Sequence, residues 1–179
     1  MRRILCALLV NTGARCNEFR LITFDDFDLI MKNRKINIFR YKQGKSAKIP
    51  VSDFGWQFLV DVQPLLKYLK TFFKGKYVFA SIKCKDQPVH TSSLLRSFNS
   101  QLNFILKKNN IYLVITSHSF RITFLTALLK DLDIAKVREI IGHNHIETTN
   151  RYNRNTLSEK QLEEAIQAAL AQMTQNTDN

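Results

Sequence analysis

Four side chains that suit phosphate chemistry occur at short, regular spacings in the second half of the chain. His118 and Arg121 are three residues apart at the start of a predicted helix, so they share one of its faces. An Ile-Gly-His segment ends at His143, and Tyr152 comes nine residues after that histidine. A guanidinium can donate two hydrogen bonds to phosphate oxygens, and a tyrosine hydroxyl is a nucleophile once its proton, with a pKa near ~10, is removed. These residue types could therefore stabilise and attack a phosphodiester.

Two further segments of the first half could contribute charge to the same chemistry. Thr12-Gly13-Ala14-Arg15 is followed by Glu18, and a predicted hairpin places Lys42 eight residues before Pro50. Lys45 lies in the same hairpin, so the choice between the two lysines stays open. Taken singly, each of these residues has an ordinary explanation, such as a cation at the start of a helix or on a solvated turn.

Composition and charge limit the class of protein. The chain has 179 residues, 45% of them hydrophobic, which excludes a disordered, collagen-like or low-complexity protein. Its net charge of +12 predicts a polyanionic partner, nucleic acid before an anionic membrane. Residues 32–48 hold seven cations and no acid. The candidate phosphate-contacting residues there are Lys35, Arg40, Lys45 and Lys48. The alternative is an edge ribbon whose lysines only prevent aggregation.

The hydrophobic pattern predicts an α+β fold, mainly helical with a small antiparallel three-stranded sheet. A first helix ends at Thr12-Gly13 and a short one covers residues 15–21. The sheet is expected within residues 29–51, which contain the alternating segment 35–41 and a strand at 47–51. Predicted helix starts are Asp53 (with a restart near Pro64), Thr91 or Ser92, Ser117, Asp133 (ending at Gly142) and Ser158.

In this order and spacing, the segments resemble the catalytic domain of the tyrosine recombinases, or phage-type integrases, over nearly the whole chain. The resemblance implies a set of catalytic residues: Arg15, Lys42, His118, Arg121, His143 and Tyr152. It implies a supporting role for Glu18, which would orient Arg15. It further implies double-stranded DNA as partner, with Tyr152 holding a DNA 3′-phosphate covalently and releasing a 5′-hydroxyl. Rejoining then needs no ATP, and the residue set contains no cluster for Mg²⁺ or Zn²⁺, so no cofactor is expected.

Physical chemistry assigns a role to each side chain in that set. Arg15, Arg121 and His143 supply positive potential to the phosphate, and His118 accepts the tyrosine proton. Lys42 in a hairpin delivers a proton to the leaving sugar oxygen. The leading hypothesis is a DNA strand-exchange enzyme: an integrase, resolvase or invertase. The alternatives are an inactive DNA-binding remnant or regulator of the same family, and a type IB-like topoisomerase, which His143 and its spacing to Tyr152 disfavour.

The resemblance also predicts the domain organisation. Residues 1–156 are expected to form the catalytic domain, without the N-terminal clamp domain and first catalytic-domain helix that full-length members carry. Residues 157–179 are expected to form an amphipathic helix and a polar tail. Leu162, Ile166 and Leu170 form the apolar stripe of this helix, which would join a homo-tetramer on DNA by exchange between protomers. The alternative is that it packs back on its own domain.

The remaining signals are weak or negative. Three cysteines without metal or redox spacing indicate a reduced compartment, cytoplasmic or organellar and nucleoid-associated, and not a secreted protein. No apolar run reaches ~18 residues, so no membrane partner is expected. His143-Asn144-His145 spells a nuclease motif without the rest of that site, and Cys84 is expected to be idle. The turn before Asp133 lacks the glycine that the family usually has there.

Overall fold

The computed structural model describes residues 1–41, 44–142 and 149–150. Within them the chain forms helices α1 (Arg2–Thr12), α2 (Phe24–Asn33), α3 (Asp53–Phe73), α4 (Thr91–Lys108), α5 (Ser117–Asp131) and α6 (Ile134–Ile141), strands β1 (Lys35–Arg40) and β2 (Lys45–Pro50), and a 3₁₀ helix (Cys16–Phe19). The mainly helical α+β prediction is confirmed. Over the described residues the sheet has two strands, where three were predicted.

Helix α2, which the hydrophobic pattern does not predict, takes the place of the third strand. Thr23 caps this helix by accepting a hydrogen bond from the Asp26 backbone N–H, while the Asp26 carboxylate accepts one from the Thr23 N–H at 2.9 Å. Phe24, Phe27 and Ile30 are buried on one side of it. Residues 29–33 therefore end a helix, and the extended chain begins only at Lys35.

The hairpin pairs β1 and β2 antiparallel, with Lys35 opposite Pro50 and Arg40 opposite Lys45. Side chains alternate along β1, so Ile36 and Ile38 point into the core. Arg40 has the same inward direction and is 3% exposed.

Helix α1 lies at the centre of the core, between α3 and α5. Its apolar side chains Ile4, Leu5, Leu8 and Leu9 are fully buried. The Asn11 side-chain amide donates to the Gly55 carbonyl oxygen at 2.9 Å, and a Cβ on Gly55 would lie 1.8 Å from Asn11 Oδ1. Because residue 55 has no side chain, α3 can approach α1 closely enough for this hydrogen bond.

Helix α3 differs from its prediction at its start and in its middle. Its cap is Ser52, whose hydroxyl accepts from the Gly55 N–H at 3.0 Å, whereas Asp53 forms an ion pair with Arg34. The helix continues through Pro64 instead of restarting there. Proline has no backbone N–H and so removes one hydrogen bond from the helix. The burial of one apolar face offsets this loss and keeps the helix continuous; that face consists of Leu59, Val62, Leu66 and Leu69.

Helices α5 and α6 form a second, small apolar cluster around Leu125, Val137 and Ile141. Asp133 caps α6 by accepting from the Lys136 N–H at 2.9 Å, and Gly142 ends it with a φ of 68°, as predicted. Leu132 links the two helices in an extended conformation with a φ of −124°. The turn therefore does not require a glycine.

None of the helices described is long and apolar enough to cross a lipid bilayer. The predicted helix from Ser158 lies outside the described residues.

Candidate active site

Arg15 leaves a tight turn at the end of α1. Gly13 adopts a φ of +54°, a left-handed conformation that favours glycine, and the Thr12 hydroxyl accepts from the Ala14 N–H at 3.1 Å. The Glu18 carboxylate accepts from the Arg15 backbone N–H at 2.8 Å and lies 3.3 Å from Arg15 Nη1. The Arg15 side chain is 36% exposed and that of Glu18 only 5%. Glu18 therefore holds both ends of Arg15, while the guanidinium keeps an open side.

Arg121 is joined directly to that turn. Its side chain is buried, with the residue 2% exposed, and its Nη1 donates to the Gly13 carbonyl oxygen at 2.8 Å. One turn further along α5, Phe124 packs on the same glycine: a Cβ on Gly13 would lie 2.6 Å from Phe124 Cδ1. The backbone that precedes Arg15 is thus the surface on which α5 docks, and the two arginine segments of the sequence come together.

His118 lies in the first turn of α5, on the exposed side. Its pKa is lowered, first by partial burial and then by the positive charges of Arg121 and Arg15. The imidazole is therefore neutral at pH 7, the form that accepts a proton. The same electrostatic interactions place His118 near both guanidiniums.

The hairpin cations divide into two groups. Lys35, Lys45 and Lys48 are exposed on the ribbon. Arg40, by contrast, is buried, and its Nη2 donates to the carbonyl oxygen of Ile140 in α6. The guanidinium of Arg40 is thus engaged with α6, and the predicted phosphate-contacting residues that the structure shows exposed are Lys35, Lys45 and Lys48.

A cleft of about 1390 Å³ separates β2 from α6. Lys45 and Lys48 line it from the strand, and Lys136, Arg138 and Glu139 line it from the helix. Cations outnumber acids there, which extends the basic surface of the hairpin toward the end of α6.

Three of the predicted catalytic residues, Lys42, His143 and Tyr152, lie outside the described residues. The choice between Lys42 and Lys45 stays a prediction for that reason. Gly142, which directly precedes His143, is described at the end of α6. Within residues 1–41, 44–142 and 149–150, no group of three or more His, Cys, Asp or Glu side chains lies together as a metal site would need.

Two residues beyond the predicted set support the site: Gly13 and Phe124. The Gly13 carbonyl oxygen accepts the hydrogen bond from Arg121. The Phe124 ring packs so closely on residue 13 that only a glycine fits there. In the sequence, the sign of this turn is Gly13 itself, a glycine that follows an apolar pattern with helical spacing.

The chain is similar to known proteins over most of its length. The sequence model described as the phage integrase family matches residues 1–159. Tyrosine recombinase XerC of Staphylococcus haemolyticus is 27% identical over 151 residues, which are 84% of this chain and 48% of that protein. A tyrosine recombinase of Agathobacter rectalis is 30% identical over 158 residues, 86% of this chain and 47% of that protein. The chain thus spans about half the length of the curated relatives that it matches.

A solved structure shares the fold. The XerH site-specific recombinase bound to its difH substrate, in a pre-cleavage complex, superposes with a TM-score of 0.64 at 24% identity, covering 92% of this chain and 45% of that one.

Proposed function

This chain belongs to the phage integrase family, and from that premise we propose that it is a site-specific DNA recombinase or integrase that cleaves and rejoins double-stranded DNA. The observation that carries this proposal is the contact between Arg121 and the Gly13 carbonyl. That contact joins α5, which bears His118, to the turn that bears Arg15. Two guanidiniums and a neutral imidazole in one place suit the transition state of a phosphodiester.

The proposed reaction begins at Tyr152. His118 accepts the proton of the tyrosine hydroxyl, the tyrosine oxygen forms a bond to phosphorus, and the bond from phosphorus to the leaving 5′-oxygen breaks. Lys42 transfers a proton to that oxygen, which leaves as a hydroxyl. Arg15, Arg121 and His143 stabilise the negative charge that develops on the phosphate.

Rejoining is the reverse of the same steps. The phosphotyrosine keeps the energy of the phosphodiester bond, so a 5′-hydroxyl from a second strand can displace Tyr152 without ATP or a metal ion. Glu18 does not contact the phosphate in this proposal. It orients Arg15 by binding both its backbone N–H and its guanidinium.

The proposed DNA surface is the set of exposed hairpin lysines: Lys35, Lys45 and Lys48. The net charge of +12 supports a polyanionic partner. The Tn1549 transposon integrase, a solved structure of the same fold in complex with transposon right end DNA, supports DNA as that partner.

The test is a suicide substrate, a duplex with a nick placed so that the freed end is lost and rejoining is blocked. Wild-type protein should form a covalent protein–DNA adduct on its cognate site. Tyr152→Phe should bind the same DNA with unchanged affinity and form no adduct, since only the attacking oxygen is removed. An adduct with Tyr152→Phe would show that the nucleophile is another residue.

We further propose that residues 158–173 join protomers into a tetramer through the stripe of Leu162, Ile166 and Leu170. The acidic residues Glu159, Glu163 and Glu164 make this segment a poor DNA ligand, so its apolar stripe suits a protein groove. Deleting residue 158 onward should weaken recombination more than binding to a single DNA site. Unchanged recombination by the truncated chain would contradict the exchange.

A further inference from the structure

Arg40 is a buried cation for which the proposed reaction has no use. It ends β1, where alternation places it on the core side after Ile36 and Ile38. An apolar residue would suit that position, because a buried guanidinium loses its hydrogen bonds to water. The hydrogen bond from Nη2 to the Ile140 carbonyl oxygen replaces only part of them. The Nε and Nη1 atoms of Arg40 have no hydrogen-bond partner within the described part of the chain.

The backbone of Arg40 forms the base of the hairpin turn. Its carbonyl oxygen accepts a hydrogen bond from the Gly44 N–H at 3.0 Å, and Arg40 lies opposite Lys45 in the last pair of the two strands. In the sequence, Lys42 comes between these two residues. The position of Arg40 therefore marks where the pairing of the two strands ends.

The side chain of Arg40 reaches the other end of the candidate site. Its Nη2 donates to the carbonyl oxygen of Ile140, in the last turn of α6. Carbonyls in a last helical turn have no partner within the helix, and the negative end of the helix dipole favours a cation there. The negative charge of Glu18 and the positive charge of Arg15 also act on this guanidinium, so Arg40 lies near the arginine turn as well.

We propose that Arg40 is a positioning residue: it holds the Arg40–Lys45 end of the paired strands against the end of α6, and thereby positions the hairpin lysine that protonates the leaving oxygen. This inference rests on the proposed function. It gives Arg40 a part in the proton-delivery step and none in contacting DNA.

The test separates proton delivery from every other step. In a suicide substrate with sulfur in place of the bridging 5′-oxygen, the leaving group departs as a thiolate and needs no proton. Arg40→Met should cleave the oxygen substrate about 10- to 100-fold more slowly than wild type, part of the ~10²–10⁴ that a positioned general acid contributes. It should cleave the sulfur substrate at a rate close to that of wild type.

Arg34→Met is the matched control. Arg34 anchors the opposite end of the hairpin, pairing with Asp53 at 2.6 Å and lying 4.8 Å from the Trp56 ring centre. The same substitution there should leave the ratio of the two cleavage rates at its wild-type value. Arg40→Lys keeps the charge and loses the forked geometry, so it should show the same selective defect as Arg40→Met, and it serves in its place if the methionine variant does not fold.

The outcomes are distinguishable. An equal loss on both substrates, or no loss on either, overturns the role of Arg40 while leaving the recombinase function intact. If wild type forms no adduct with either substrate, the proposed function fails and this inference fails with it.

Discussion

Arg121 donates a hydrogen bond to the carbonyl oxygen of Gly13 at 2.8 Å, although 108 residues separate them in the chain. The bond joins the second turn of α5 to the turn two residues before Arg15. Both arginines proposed to bind the phosphate are therefore held by one backbone turn, and a shift of that turn moves both.

Replacing Gly13 with alanine should destabilise the protein more than the same change at Gly44. Both glycines have a positive φ, for which alanine costs about 1–2 kcal/mol. At Gly13 the new Cβ would also meet Phe124 at 2.6 Å, whereas at Gly44 no atom of the described residues lies within 4 Å. Overpacking adds about 1–3 kcal/mol. Free energies of unfolding from urea titrations give the comparison, and equal losses would show that Phe124 yields without cost.

Arg121→Lys should reduce adduct formation by about 10²- to 10³-fold, as the loss of one transition-state donor does. Lysine keeps the positive charge but cannot donate to Gly13 and to a phosphate with the geometry of a guanidinium. Arg96→Lys, a change of an exposed arginine on α4, is the control and should have no effect. Cleavage by Arg121→Lys at the wild-type rate would contradict the proposed fork.

The pKa of His118 should depend on Arg15. It lies below its ordinary value because burial and the charges of Arg121 and Arg15 disfavour the imidazolium. Arg15→Met removes one repulsive charge, so the pKa of His118 should rise, while Arg96→Met should not change it. Titration of the imidazole proton by NMR measures this without DNA, with His118→Gln to assign the signal.

The same shift sets the pH dependence of cleavage. His118 must be neutral to accept a proton, so the rate should fall as the pH drops through the lowered pKa, below about 6.5. Above that pKa the imidazole is already neutral, and His118 should cause no further increase. A rate that rises as the medium becomes more acidic would contradict the assignment of His118 as the base.

Lys48 should contribute one phosphate contact to DNA binding. If about six phosphates are contacted, the logarithm of the affinity falls with the logarithm of salt at a slope near ~−5, and each lost contact reduces the slope by about 0.9. Lys48→Ala should show that reduction. Lys67→Ala should not, because Lys67 is one turn from Lys70, which pairs with Asp25 and Asp28 in an acidic part of the surface. Equal slopes for the two variants would remove the hairpin from the DNA interface.

The cysteines should differ in reactivity at pH 8. Burial raises the pKa of Cys16, the residue after Arg15, to about 11, so its thiol stays protonated in the folded protein. Cys84 is exposed. Iodoacetamide should modify Cys84 in the native state and Cys16 only after unfolding, as read by peptide mass spectrometry. Rapid labelling of native Cys16 would show that the Arg15 turn opens.

The sequence predicted the parts of the site where local signals are strong. The end of α1 at Gly13 and the boundaries of α6 between Asp133 and Gly142 follow from capping residues and are confirmed. Helix α2 was not predicted, although Thr23 and Asp26 form a capping box, because ten residues carry only a short periodic signal. Pro64 predicted a break in α3, but tertiary burial on both sides of it outweighs the local preference.

Arg40 shows the other limit of sequence reasoning. A cation among six others predicts an exposed side chain, whereas the alternation of Ile36 and Ile38 places position 40 inward. The two signals disagree, and only the carbonyl of Ile140, a hundred residues away, decides between them. The contact between Arg121 and Gly13 has the same long-range origin.

The central position of α1 has a consequence for synthesis on the ribosome. This helix is translated before both of its packing partners, and its side chains Ile4, Leu5, Leu8 and Leu9 are covered only once α3 and then α5 are in place. A nascent chain must therefore carry an apolar helix without its final partners until residues 117–131 have been translated. Over that period Arg121 has not been made, so an incomplete chain lacks one of the two guanidiniums proposed to stabilise the transition state.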